Sequence, residues 1–235
     1  MLSIVYRDND LIAVNKPPGL LVHPSKMAYD ATEFALHQLR DQIGAWVFPT
    51  HRLDRKTSGT LLFALNKETQ VLINKSFQNK EVKKKYIAIV RGYTEDSGVI
   101  DYALKNDKGK IQDAKTFYTT LAKTEIDLPH GKHATSRYSL VQLEPTTGRY
   151  HQLRKHMAHI LHPIIGDRPH GCNKQNRLFK EKFKLKNMML HANELIIQHP
   201  VTNKELVIKT RPFSEFERML DVLSLNPKAA ASQNN

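Results

Sequence analysis

The chain has 235 residues, of which 40% are hydrophobic and 25% charged, a length that supports a substantial core without covalent staples. Its one cysteine, Cys172, excludes an intrachain disulfide, and its longest apolar run, Leu61 to Leu65, is far short of the roughly 20 residues of a membrane helix. A formal charge of +13 points to a polyanionic partner. The excess is concentrated: residues 149–191 hold ten Lys or Arg against two acids, and residues 75–92 hold six against one. Nucleic acid fits this pattern better than an anionic membrane, because no lipid-facing apolar stripe accompanies the cations. Asp8 and Asp10 interrupt the N-terminus too early for a secretory signal, so a cytoplasmic protein is expected.

In chain order, residues 4–6 and 11–14 predict two strands joined by the turn Asp8-Asn9-Asp10. Pro17-Pro18-Gly19 ends the second, and residues 20–23 predict a short third strand. Ala35, Leu36, Leu39 and Ile43 share one face of a helix expected over 31–43. Residues 60–66 predict a buried strand, after which Asn66 can cap a helix to about 78 with Leu72, Ile73 and Phe77 inward. Strands follow at 82–91, 98–102, 116–124, 137–144, 189–198 and 205–210, the last two joined by the turn Thr202-Asn203-Lys204. Helices are expected at 151–161 and 213–224. Strands dominate without strict βαβ alternation, which predicts an α+β fold on a mixed, largely antiparallel sheet flanked by helices and loops. One domain is expected over 1–225, with 226–235 a disordered polar tail.

The most informative stretch is His51-Arg52-Leu53-Asp54-Arg55-Lys56-Thr57-Ser58-Gly59, a loop just before the buried strand. Asp54 lies between two arginines, whose charges favour its ionised carboxylate. Such a group can act as nucleophile or general base. The plainer account is a loop anchor, through ion pairs or an Asx turn with Thr57 or Ser58.

This segment resembles the H-R-L-D-x-x-T-S-G signature of the RluA-type pseudouridine synthases at every specified position. Four further segments match that family in the same order: Asn15-Lys16-Pro17-Pro18-Gly19, Lys84-Lys85-Tyr86-Ile87-Ala88, Thr147 to Arg154, and His162 to Asp167 with Leu190-His191-Ala192. The resemblance implies the pseudouridine synthase fold and isomerisation of uridine to pseudouridine in RNA, with no cofactor and no metal. The N1–C1′ bond breaks, the base turns over, and a C5–C1′ bond forms. It implies that Asp54 is the catalytic aspartate, a role compatible with attack at C1′, attack at C6 or assistance to a glycal route. Each asks for a carboxylate beside a charge-developing sugar.

A uridine within a stem must leave its stack to be reached, at a cost of a few kcal/mol. The resemblance makes Arg52 the residue that fills the vacated gap; a phosphate clamp is the alternative. It makes Tyr86 the residue that stacks on the flipped base and takes the C5 proton, where an aromatic on a strand is otherwise more often core. It makes Arg154 the partner that orients Asp54, and Leu190 an apolar contact to the base, otherwise an ordinary core leucine. His51 is a candidate contact to a phosphate or displaced base. Lys16, Arg149 and Lys155 are candidate backbone-phosphate ligands.

His156 and His159 share a helix face, but no carboxylate lies between His151 and His162 and no cysteine pair accompanies them, so a metal site is not expected. The chain starts at the catalytic core, so no N-terminal S4-type RNA-binding domain is expected. Arg40 to Gly44, Thr135 to Tyr138, and Ile165 to Gly171 with Asn176-Arg177 resemble the branch of the family that modifies uridine 65 of tRNA, where the T stem meets the acceptor stem. The expected partner is therefore tRNA, with no membrane and no obligate protein partner. The basic run from Arg168 to Lys186 is the candidate tRNA-reading segment. The same chemistry on ribosomal RNA or the anticodon arm is the alternative, as is an RNA-binding protein without catalysis. Retention of Asp54, Tyr86 and Arg154 together favours an enzyme.

Overall fold

A computed structural model describes residues 1–24, 32–129 and 131–226. The chain forms two compact units: Met1–Lys84 with His191–Pro212, and Lys85–Leu190 with the segment from Phe213 on. In the first, β1 (Ser3–Arg7) and β2 (Leu11–Lys16) form an antiparallel hairpin. Its turn is held by Asp8, whose Oδ1 accepts from the amides of Asp10 and Leu11 at 2.8 and 2.7 Å. Helix α1 (Ala35–Ile43) buries Ala35 and Leu39 and stops at Gly44, whose φ of 65° suits a residue without a Cβ. After β3 (Phe48–Pro49), every residue of β4 (Ser58–Ala64) is buried, as its unbroken apolar run requires. Asn66 then caps α2 (Lys67–Gln78) by accepting from the Thr69 amide at 2.8 Å.

The chain enters the second unit within β5 (Lys83–Arg91). There follow β6 (Ser97–Asp101), the two-residue strands β7 (Leu104–Lys105) and β8 (Ile111–Gln112), and the long β9 (Lys115–Ile126) and β10 (Ser136–Pro145). Helices α3 (Gln152–His159) and α4 (Asn173–Phe183) come next. Strands β11 (Leu190–Gln198) and β12 (Glu205–Lys209) form a hairpin, and α5 (Ser214–Val222) closes the described chain. In the first unit β4 pairs antiparallel with β2 and β3 and parallel with β11. In the second, β10 pairs antiparallel with β5 and β9, and β9 with β6. The result is the mixed, largely antiparallel α+β fold that the element order predicts.

Strand alternation divides the second unit into two cores. Ile89, Tyr138 and Leu140 point to the face covered by Phe179 of α4 and Phe216, Met219 and Leu220 of α5. Ala88, Val90, Val141 and Leu143 point the other way, to Leu153 and Met157 of α3, Ile164, Met188 and Leu190. Tyr86 shares the α3 face.

Several expectations need correction. Residues 20–23 make only an isolated bridge, Leu21 with Phe34, because the double proline and glycine reverse the chain before a ladder can extend. Leu72 is exposed on α2 while Ile73 is buried; a helix of this length commits one stripe to the core, and Leu72 lies beside it. Helix α4 was not anticipated; its periodicity rests on Gln175, Phe179 and Phe183 at i, i+4, i+8 within an otherwise charged run. Of the expected tail, residues 227–235 lie outside the described residues, as does residue 31 of the helix expected over 31–43; residues 32–34 are not helical, and the helix begins only at Ala35.

Candidate active site

The loop carrying Asp54 is built from the two motifs nearest the N-terminus. The Thr57 amide donates to the Asp54 carbonyl at 3.0 Å, closing a turn. The Gly19 amide donates to the Arg55 carbonyl at 2.8 Å, and Arg55 Nε returns a bond to the Gly19 carbonyl at 3.1 Å. Lys16 completes the clamp: its buried ammonium donates to the carbonyls of Pro17, Leu20 and Arg55 at 2.9, 2.9 and 3.2 Å. Burial pushes Lys16 down to about 7, opposed by the nearby charge of Asp54. The ammonium thus ties the Asn15–Gly19 turn to the Asp54 loop and sets a positive group near the carboxylate. It has no proton left for a phosphate, which corrects the expectation that Lys16 is an RNA ligand.

His51 is corrected in the same sense. Strand β11 accompanies β4 only at Ser58 and Gly59, and β3 takes up the ladder at Phe63 and Ala64. Leu62 lies on that edge; its carbonyl accepts from Thr50 Oγ1 at 2.8 Å, and its amide donates to His51 Nε2 at 3.0 Å. The ring stacks on Phe77 with centroids 5.0 Å apart. Burial, then the charge of Lys84, push His51 down to about 4. The ring is therefore a neutral acceptor that satisfies β4, not a phosphate contact. Arg52, next along, is exposed, and Asp54 is half-buried.

Beyond the loop, Ser58 and Gly59 meet β11. Gly59 has a φ of 111°, and a Cβ there would come within 2.2 Å of the Ala192 carbonyl oxygen, so only glycine fits. Ser58 Oγ lies 2.9 Å from His191 Nδ1, and His191 Nε2 faces the Thr210 carbonyl at 3.3 Å. A carbonyl only accepts, so Nε2 carries the proton and Ser58 donates to Nδ1. Thr210 Oγ1 extends the network to Thr60 Oγ1 at 3.0 Å. These bonds explain why the Thr57-Ser58-Gly59 and Leu190-His191-Ala192 motifs occur together.

Burial pushes His191 down to about 4 against a weaker pull from the Thr210 carbonyl. An imidazole in the unfolded chain titrates near 6.5. Between about pH 6.5 and 4 the unfolded chain therefore binds a proton that the folded chain does not, and stability falls as pH drops through that window. His191→Gln should flatten the pH dependence of urea-unfolding free energy by up to about 1.4 kcal/mol per pH unit there. An unchanged slope would show that His191 is protonated in the fold.

In the second unit Tyr86, half-buried, packs with Leu153 and Leu190 on the α3 face. Leu190, only 2% exposed, is a core side chain of that cluster. The N-terminus of α3 is organised by the buried Gln152, whose Oε1 accepts from Thr147 Oγ1 at 2.6 Å and the Arg149 amide at 3.0 Å. Its Nε2 donates to the Lys115 carbonyl and Thr116 Oγ1 at 3.0 and 3.1 Å. Gln152 thus fixes where the next turn points. Arg154, on that turn, forks onto Asp167 through Nε and Nη2 at 2.8 and 2.7 Å, both side chains buried. Asp167 has no role in the sequence reading beyond its place in a motif; the coupling of His162–Asp167 to Thr147–Arg154 was the available signal.

Arg149 Nε donates to the Asp113 carbonyl at 3.0 Å, and the Lys155 ammonium sits 5.6 Å from the Tyr150 ring centroid. Both are half-buried. Of the two helix histidines, His156 has both ring nitrogens engaged, by Thr116 Oγ1 and the Tyr102 carbonyl at 3.0 Å each, and His159 stacks on Tyr102. Among the described residues the one cluster with metal-ligating side chains is Asp8, Asp10 and His199. There His199 Nε2 bonds Asp8 Oδ2 at 2.9 Å, and Asp8 Oδ1 is taken by two amides, so the cluster is a hydrogen-bonded turn.

A profile of the RNA pseudouridylate synthase family matches residues 10–159. The tRNA pseudouridine synthase C of Vibrio cholerae is 50% identical over 220 residues, covering 89% of this chain and 90% of the relative. That of Haemophilus ducreyi is 51% identical over 217 residues, covering 88% and 89%. Among solved structures, human RNA Pseudouridylate Synthase Domain Containing 4 superposes with a TM-score of 0.73 at 26% identity, covering 95% of this chain and 94% of that one.

Proposed function

The chain belongs to the RNA pseudouridylate synthase family, and we propose that it isomerises uridine to pseudouridine in tRNA, at position 65 where the T stem meets the acceptor stem. The substrate reading is carried by relatives named tRNA pseudouridine synthase C at half identity over nine-tenths of their length. The chemical reading is carried by one observation: the Asn15–Gly19 motif is clamped to the Asp54 loop through Lys16.

In this reading the chain works as one catalytic domain without cofactor or metal, in the cytoplasm. Asp54 supplies the carboxylate, by attack at the ribosyl C1′ or the base C6 or by assistance to a glycal route. Arg52, exposed beside it, fills the space the uridine leaves. Tyr86 stacks on the flipped base and removes the C5 proton, and Leu190 closes the apolar wall behind it. Arg154 orients the carboxylate. Arg149 and Lys155 meet backbone phosphates. Release of tritium from tRNA labelled at uridine C5 tests the reaction, because a C5–C1′ bond requires loss of the C5 hydrogen. Mapping the product tests position 65. Release from ribosomal RNA alone would overturn the substrate.

Helix α4 is the proposed tRNA-reading segment. Lys174, Arg177, Lys180 and Lys182 are exposed, while Gln175 and Phe179 face the core. Charge reversal at Lys174, Lys180 and Lys182 should leave folding intact, since none is buried. It should weaken tRNA binding and reduce the slope of log affinity against log salt by about three. Unchanged affinity and slope would remove α4 from the interface.

A further inference from the structure

The proposed chemistry leaves unused a cavity of about 250 Å³ in the second unit, lined by Arg91, His133, Thr135, Ser136, Arg137 and Gln175. It forms where β5 ends and β10 begins; Arg91 lies opposite Tyr138 in the ladder, and Gly92 turns the chain with a φ of 83°. Among the described residues no carboxylate lines it. Glu125 stands behind the wall and is committed there. It accepts from Arg137 Nε at 3.0 Å and from Thr135 Oγ1, and so holds the Arg137 guanidinium in place over the Tyr93 ring.

The feature that points to a ligand is Gln175, in the first turn of α4 and 2% exposed. Its Oε1 accepts from the Tyr138 hydroxyl at 3.0 Å, while its Nε2 has no hydrogen-bond partner among the described residues and lines the cavity. The amide NH₂ faces the open cavity, where an acceptor that enters can take up its hydrogens. Two guanidinium groups and an unfilled amide donor call for an acceptor-rich anion. Arg91 lies five residues from Tyr86 along β5, about 17 Å away. From these observations we propose that the cavity is a second RNA contact, which holds a backbone phosphate of the substrate at the end of β5 remote from Tyr86.

The proposal rests on the reading of RNA as substrate, and its test is separable from that reading. Binding of unmodified tRNA transcript is measured across a salt series for the native protein, Arg91→Glu, Gln175→Glu and Lys67→Glu. Gln175→Glu keeps the acceptor for Tyr138 while placing a carboxylate in the cavity. Lys67, exposed on α2, serves as a control for net charge. Arg91→Glu should raise Kd about tenfold or more and lower the salt slope by about one. Gln175→Glu should raise Kd as well, and Lys67→Glu should change it less than twofold. Circular-dichroism melting establishes that each variant is folded. Native Kd and slope in both cavity variants would overturn the proposal. So would inorganic phosphate that binds the native protein in a phosphorus NMR titration and is lost in Arg91→Glu while tRNA affinity is unaltered, because the ligand is then a free anion. Failure of the native protein to release tritium would instead overturn the reaction, whatever the binding result.

Discussion

Asp54→Asn is expected to lower pseudouridine formation by at least about 10⁴-fold, read as tritium release at saturating tRNA. The substitution preserves shape and removes only the charge. The turn at Asp54 depends on its backbone carbonyl, which accepts from the Thr57 amide at 3.0 Å in either variant. The clamp on Arg55 by Lys16 and Gly19 does not involve the Asp54 side chain. Thermal stability should therefore stay within about 0.5 kcal/mol of native, because the bonds that shape this loop run through its backbone. RNA affinity should change little, because flipping and phosphate contacts fall to other residues. A variant that is folded, binds tRNA and releases no tritium assigns the chemistry to Asp54. Release above a tenth of the native rate would return Asp54 to the role of loop anchor, and loss of binding together with release would make it a recognition residue.

What was legible in the sequence was what depends on neighbours in the chain. The Asn66 cap, the buried run of β4 and the hairpin at 202–204 each follow from residues within one turn or ladder of one another. The uses of Lys16 and His51 are not legible there, for the opposite reason. The ammonium of Lys16 is consumed by a carbonyl 39 residues away and two more from the chain reversal at Pro17–Leu20. The His51 ring is required because β11 and β3 leave a gap along β4. Neither a charge nor a ring nitrogen announces such a use. The pairing of Ser58 with His191 spans 133 residues and was visible only as two motifs without a reason to co-occur. Helix α4 escaped because two aromatic side chains and a glutamine carry its whole buried face.

Arg154→Leu is expected to cost about 3–5 kcal/mol, because it leaves the Asp167 carboxylate buried without its cation. The pair sits in a knot that reaches α4. The Asp167 backbone carbonyl accepts from Asn176 Nδ2 at 2.6 Å, and Asn176 Oδ1 accepts from the Gly166 amide at 2.9 Å. Gly171 lies so close that a Cβ would meet the same carbonyl at 1.9 Å. An uncompensated charge at Asp167 therefore strains the turn and the start of α4 together. Removing both charges, in Arg154→Leu with Asp167→Leu, should recover most of that loss, since neither ion is then left desolvated and alone. Urea unfolding of the native protein, the two single variants and the double variant measures this coupling. The double variant also separates two uses of the arginine. If Arg154 serves only to neutralise Asp167, a refolded double variant should release tritium from tRNA at close to the native rate. If Arg154 orients the Asp54 carboxylate, as the resemblance implies, the double variant should be stable, bind tRNA and remain inactive. Arg154→Lys should then fail to rescue it, because a lysine restores the charge without the planar fork.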